Sequence, residues 1–212
     1  MLYSQAMTVV EVYEKYEIPP NLADHQLTVA AVASVICEVT GKGDRDNVVA
    51  ACLLHDMGNI IKFDLDKKIP GAEIENVEHW KEVKQKFIEN YGDDEHIATI
   101  VIADDIGVSV EVKNLVDAIG FRHSLDTLNS GDKSKMIAGY SDMRVAPHGV
   151  VSLETRLDDL TTRYGATDDR EQYNQALRQM EQVIFSDTGL NPSVVNKAVV
   201  DAQKIELVSF KI

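Results

Sequence analysis

The chain has 212 residues, 44% of them hydrophobic and 26% charged, an ordinary globular composition with enough length for a core of its own. Its 35 acidic residues against 21 basic ones give a formal net charge of −14, and without a basic stripe this argues against gripping polymeric nucleic acid by counterion release. No Pro-, Gly- or Ser-rich linker, solenoid repeat or low-complexity tract interrupts it, so residues 1–212 read as a single domain.

The first five residues, Met1-Leu2-Tyr3-Ser4-Gln5, have no basic stretch before an apolar one and do not read as a signal peptide. Apolar periodicity predicts helices over 5–16, 22–38, 46–57, 76–90, 94–106, 109–122, 132–143, 152–163, 168–186 and 192–203. Strand alternation is confined to 206–212, which predicts an edge strand or a contact in a homo-oligomer. The fold class is all-α. Cys37 and Cys52 sit inside apolar runs without a Cys-x-x-Cys spacing and read as buried free thiols of a reducing compartment. The longest apolar runs, near 29–37 and 97–103, fall short of the roughly 18 residues a membrane helix needs. A cytoplasmic protein with no membrane partner is expected.

Four histidines fall in register with apolar helical stripes. Pro19-Pro20-Asn21 leads into a helix on which His25, Val29, Val32 and Ile36 share a face. His55 closes Val48 and Cys52, and is followed at once by Asp56 and by Gly58, read as a helix stop. His96 opens His96, Ile100, Ala103, and His123 closes Val112, Val116, Ile119. One inward histidine is most simply a core residue bonded to a carbonyl. Four would each need a buried partner, and a shared divalent metal answers for several together, since imidazole nitrogen and carboxylate oxygen suit Zn, Fe, Mn and related ions. His79, beside Trp80 at a stripe's edge, and His148, in the turn Pro147-His148-Gly149, are weaker candidates.

The order of these residues resembles the HD-domain metal-dependent phosphohydrolases. Ile18 to His25 followed by Val29 to Ala33 resembles that family's first-histidine helix, Ala51-Cys52-Leu53-Leu54-His55-Asp56-Met57-Gly58 resembles its central motif, and Asp142 in Ala138 to Val145 resembles its late aspartate. The resemblance covers roughly residues 18 to 145, with 150–212 as a helical extension. It implies an HD-domain helical bundle in which His25, His55, Asp56 and Asp142 hold one metal. Members with two metals add two intermediate histidines, and His96 and His123 stand in comparable places, so one or two ions of Fe, Mn, Zn, Co or Ni, with Mg also admissible, are implied.

Departures narrow the reading. Asn59 stands where many members have lysine, with Lys62 one turn later; no Gly-Tyr-Pro follows His123, unlike the cyclic-dinucleotide phosphodiesterases, and no Glu-Asp pair follows Asp56, unlike the alarmone hydrolases. The expected activity is hydrolysis of a small phosphate ester, a nucleotide or related phosphomonoester, by metal-activated water. In it Asp56 orients or bridges, and His96 or His123 donates a proton or joins a second ion. Arg122, Lys62, Arg144 and Lys135, with Lys133, are the local cations expected to contact phosphate. Two rivals stay open: a di-iron oxygenase with a similar ligand set, and a non-catalytic ligand-binding protein. In the C-terminal third, Val151, Leu153, Leu157, Leu160, Leu177, Met180, Val183 and Ile184 read as core or an oligomer surface, and Arg156, Arg163 and Arg170 as solvated or paired with nearby acids, with a phosphate-gripping arginine the functional alternative for each.

Overall fold

A computed structural model describes residues 6–66 and 75–212, so residue 5 of the first expected helix and the leading pentapeptide lie outside it. Among the described residues the chain forms α-helices joined by short turns, with one two-residue hairpin as its only paired sheet. The all-α class is borne out.

The first helix, α1 (Val9–Lys15), starts where a Thr8–Glu11 capping box closes its orphan N–H groups. Pro20 sits in the first turn of α2 (Pro20–Thr40), where its missing N–H costs nothing, and Gly41 ends the helix at φ 66°. Every residue of α2 from Gln26 to Cys37 is buried. The expected one-sided stripe is therefore a helix covered all round, by α3 (Arg45–Leu54), α8 (Lys133–Asp142) and α11 (Lys197–Leu207). At 21 residues, with a hydropathy of 1.3 over its most apolar window, α2 passes the length and composition needed to cross a bilayer, a correction to the expectation that nothing approaches it; 67% of that window is buried against the other helices.

Asp44 caps α3, which ends at Leu54 so that His55 is its C-cap. A 3-10 turn, Asn59–Lys62, follows. Next come α4 (Val77–Tyr91) and α5 (Glu95–Ile106), the latter capped by Asp94 through the His96 and Ile97 N–H groups. The helix expected over 109–122 is shorter: α6 spans Val110–Ala118, extended Ile119 and Gly120 at φ 149° break it, and a 3-10 turn, Phe121–His123, leads into α7 (Ser124–Ser130). His123 therefore does not close a helical stripe. Beyond α8, strands β1 (Val145–Ala146) and β2 (Gly149–Val150) pair antiparallel, with His148 exposed in their turn. They lead to α9 (Leu153–Tyr164) and α10 (Asp168–Phe185).

A 3-10 turn, Pro192–Val194, precedes α11. The expected strand over 206–212 is mostly absent, because α11 runs to Leu207 and only Lys211 bridges to Thr8. One buried apolar cluster runs from Val9 to Leu207 and takes in residues of both the 18–145 region and the C-terminal helices.

Candidate metal centre and cleft

His25 projects from the second turn of α2, His55 and Asp56 from the turn after α3, and Asp142 from the last position of α8. Because α2 packs against both α3 and α8, the three segments bring four donors to one point. His25 Nε2 lies 3.2 Å from Asp142 Oδ1 and 3.8 Å from Asp56 Oδ2, and His55 Nε2 lies 3.6 Å from each of the same oxygens. One ligand atom each from His25, His55 and Asp56 falls within 4.8 Å of the others. Gln26 Oε1 accepts the Asp56 N–H at 3.1 Å, tying the turn to α2, and the Gly58 N–H donates to Thr99 Oγ1 at 2.9 Å, tying it to α5.

The chemistry of this donor set can be tested on His55. Its Nδ1 is 2.7 Å from the Cys52 carbonyl, which only accepts, so in the neutral ring the proton sits on Nδ1 and Nε2 keeps the lone pair. That Nε2 is buried and has no hydrogen-bond partner. Both nearby carboxylates are acceptors too when ionised, so a cation is the group that satisfies all of them, and the residues fit a divalent metal. The local field agrees. Burial alone would lower the His55 pKa, yet Asp56 and Asp142 outweigh it and raise it to about 9. Burial would push Asp142 up, yet the imidazoles of His25 and His55 hold it well below the usual carboxylate range. Such a site attracts positive charge, whether a proton or a metal ion.

The four donors sit at the bottom of an open cleft of about 590 Å³. His96 and His123 line it as well, their rings 5.7 Å apart and inclined by 25°. His96 Nε2 is 2.9 Å from Asp117 Oδ1. Lys62 lines the cleft, its ammonium 3.4 Å from Glu95, and Arg122 stands exposed at the rim. Asn59, in the family's lysine place, is a buried lining residue.

Three expected phosphate contacts are corrected. Arg144 is buried and spent on structure: its guanidinium donates to the carbonyls of Val151 at 2.6 Å, Val195 at 3.0 Å and Pro192 at 3.4 Å, and to Tyr140 Oη at 2.7 Å. Lys135 lies in the first turn of α8, seven residues and therefore about 10 Å along the axis from Asp142, outside the cleft; Lys133 lies farther still. His79 stacks edge-on against Trp80, away from the site.

Two of the C-terminal arginines read first as solvated or paired, Arg156 on α9 and Arg170 on α10, line the cleft. A signal existed for Arg156: it falls three residues after Leu153 and four before Leu160, inside that helix's apolar face. Arg163, two turns later, pairs with Asp159 at 2.8 Å as expected.

Residues 22–119, from the first turn of α2 to the residue after α6, match the family described as HD domain. His123, Asp142 and all helices from α7 onward lie beyond the matched segment. No curated protein and no solved structure matches the chain. HD domains typically bind divalent metals, and the cluster of His25, His55 and Asp56 offers this chain a place to do so. That segment and that cluster together support membership of the HD-domain superfamily.

Proposed function

We propose that the protein is a metal-dependent phosphohydrolase acting on a small phosphate ester of nucleotide size. The observation that carries this reading is the convergence of His25, His55, Asp56 and Asp142, with the partnerless Nε2 of His55 among them, at the floor of a cleft that also holds cationic side chains. A volume of about 590 Å³ exceeds what an inorganic anion needs and falls in the range of small-molecule sites.

His25, His55, Asp56 and Asp142 would hold a divalent transition ion, which when bound supplies a Lewis acid that makes water nucleophilic at neutral pH and polarises a phosphoryl oxygen. The rest falls to the chain. The second oxygen of Asp56 orients the attacking water, and Arg122 at the rim and Lys62 beside Glu95 draw in the phosphate. His96, fixed by Asp117 through Nε2, and His123, stacked on it, deliver the proton the leaving oxygen needs. The near-parallel stacking of these two imidazoles in the same cleft also favours a second reading, in which they hold a second ion. Metal content separates the two: one ion per chain supports proton delivery, two ions the second site.

A panel of nucleotides, sugar phosphates and aryl phosphates, assayed with Mn, Mg, Fe, Co, Ni or Zn, should show phosphate release with at least one pair. Asp56→Ala should abolish turnover, whereas Arg122→Ala should raise KM about tenfold with kcat little changed, about 1.4 kcal/mol of ground-state binding. No turnover across the panel rejects the hydrolase, and oxygen uptake by an iron-loaded sample would then establish the oxygenase.

A further inference from the structure

The helices after the hairpin add something to the cleft that the metal cluster does not use. Arg156 on α9 has a side chain only 14% exposed, and its Nη1 reaches Asp159 at 3.1 Å, yet its Nε is buried with no hydrogen-bond partner. Arg170 on α10 has a buried, partnerless Nε as well, and no carboxylate lies within ion-pair distance of it among the described residues. Its guanidinium carbon lies 5.1 Å from the ring centroid of Phe121 and 5.6 Å from that of Tyr164, so the rings hold the group in place while contributing no acceptor to its N–H edge.

A buried N–H of a charged group is costly when nothing accepts it, and native structures satisfy such donors. A divalent metal cannot satisfy these, because they are donors. Two guanidinium edges in one cleft match the oxygens of a phosphoryl group. Arg170 packs on Phe121, two residues from His123, and Arg156 lines the same cleft.

We infer that Arg156 and Arg170 form a second anion subsite, and that the substrate carries two phosphoryl groups, one at the metal cluster and one at these arginines. The inference rests on the hydrolase reading for the role of the first group. It makes the C-terminal helices the source of substrate specificity, and it places the compound among diphosphates and bisphosphates rather than simple monoesters.

The test is calorimetric binding to the Mn-loaded full chain, with three probes: methylphosphonate, methylenediphosphonate and 1,3-propanediphosphonate. At least one diphosphonate should bind tenfold or more tightly than methylphosphonate. Arg156→Gln and Arg170→Gln should each remove most of that gain while leaving methylphosphonate within about twofold, and Arg156→Lys and Arg170→Lys should restore part of it. Equal binding of all three probes overturns the subsite, as does a gain that survives both Gln variants; water would then be the partner of these N–H groups. If a Gln variant does not fold, the wild-type comparison and the Lys variant decide by the same criteria. A diphosphonate preference that depends on the arginines, in a protein that hydrolyses no ester, would keep the subsite and reject the hydrolase.

Discussion

At His55 the two ring nitrogens have opposite fates, and the difference decides what the residue can do. Nδ1 is satisfied by the Cys52 carbonyl, which orients the ring and fixes the tautomer; Nε2 is left facing two carboxylates with nothing between them. His55→Ala should therefore lose the ion by elemental analysis. With Mn at about 100 times its Kd the wild type should gain about 2.7 kcal/mol, about 5–10 °C in Tm for a chain of this size, and the variant should gain nothing. A Mn-dependent rise that persists in the variant would remove His55 from the ligands. His25, His55 and Asp56 were legible in the sequence because helical register and the apolar run before the pair both aim them inward. Asp142 was legible only through resemblance, since a carboxylate at a helix end ordinarily faces water. Arg144 was misassigned because it stands two residues from Asp142; positions i and i+2 near a helix end face different ways, and here one faces the cleft and the other the C-terminal turns.

Among the elements, the junction between the His55-Asp56 turn and α5 is set by a single missing side chain. Gly58 has φ −88°, open to any residue, and α3 has already ended at Leu54, so the glycine is neither strained nor the helix stop the sequence implied. Its role is space: a Cβ there would lie 2.3 Å from the Glu95 carbonyl oxygen and 2.8 Å from the Ala98 Cβ. Gly58→Ala must push the backbone of α5 away, and with it His96 one residue beyond Glu95. A loss of about 1–3 kcal/mol is expected in a urea melt, with weakened metal binding, because the Thr99 bond to the Gly58 N–H stretches as well. Unchanged stability and affinity would mean that α5 yields freely. Long helices with a cap and an apolar period were readable, α5, α8 and α9 to within a residue or so at each end. The split of 109–122 was not, because a glycine at φ 149° followed by a seven-residue helix leaves the apolar spacing almost continuous.

For the whole molecule, the C-terminal third closes the structure onto its beginning and supplies one wall of the cleft. Lys42 Nζ caps the end of α10, bonding the carbonyls of Val183, Ile184 and Ser186 at 2.8–3.0 Å, where a cation also complements the helix dipole. Lys204 on α11 reaches Asp24, next to the metal ligand His25, at 2.5 Å, and Thr28 at 3.0 Å. Arg144 joins α8, the residue after β2 and the turn before α11 through one guanidinium. Replacing it by Met fills much of the volume but leaves three carbonyls and a tyrosine hydroxyl without their donor. Arg144→Met should cost on the order of 3 kcal/mol, lowering Tm by about 6–12 °C, with metal stoichiometry unchanged because the four ligands lie elsewhere. A phosphate-binding arginine would behave in the opposite way, raising KM at constant Tm. The two outcomes distinguish a guanidinium that ties α8 to the end of the hairpin and the turn before α11 from one that holds substrate, and four bonds made inside the protein favour the first.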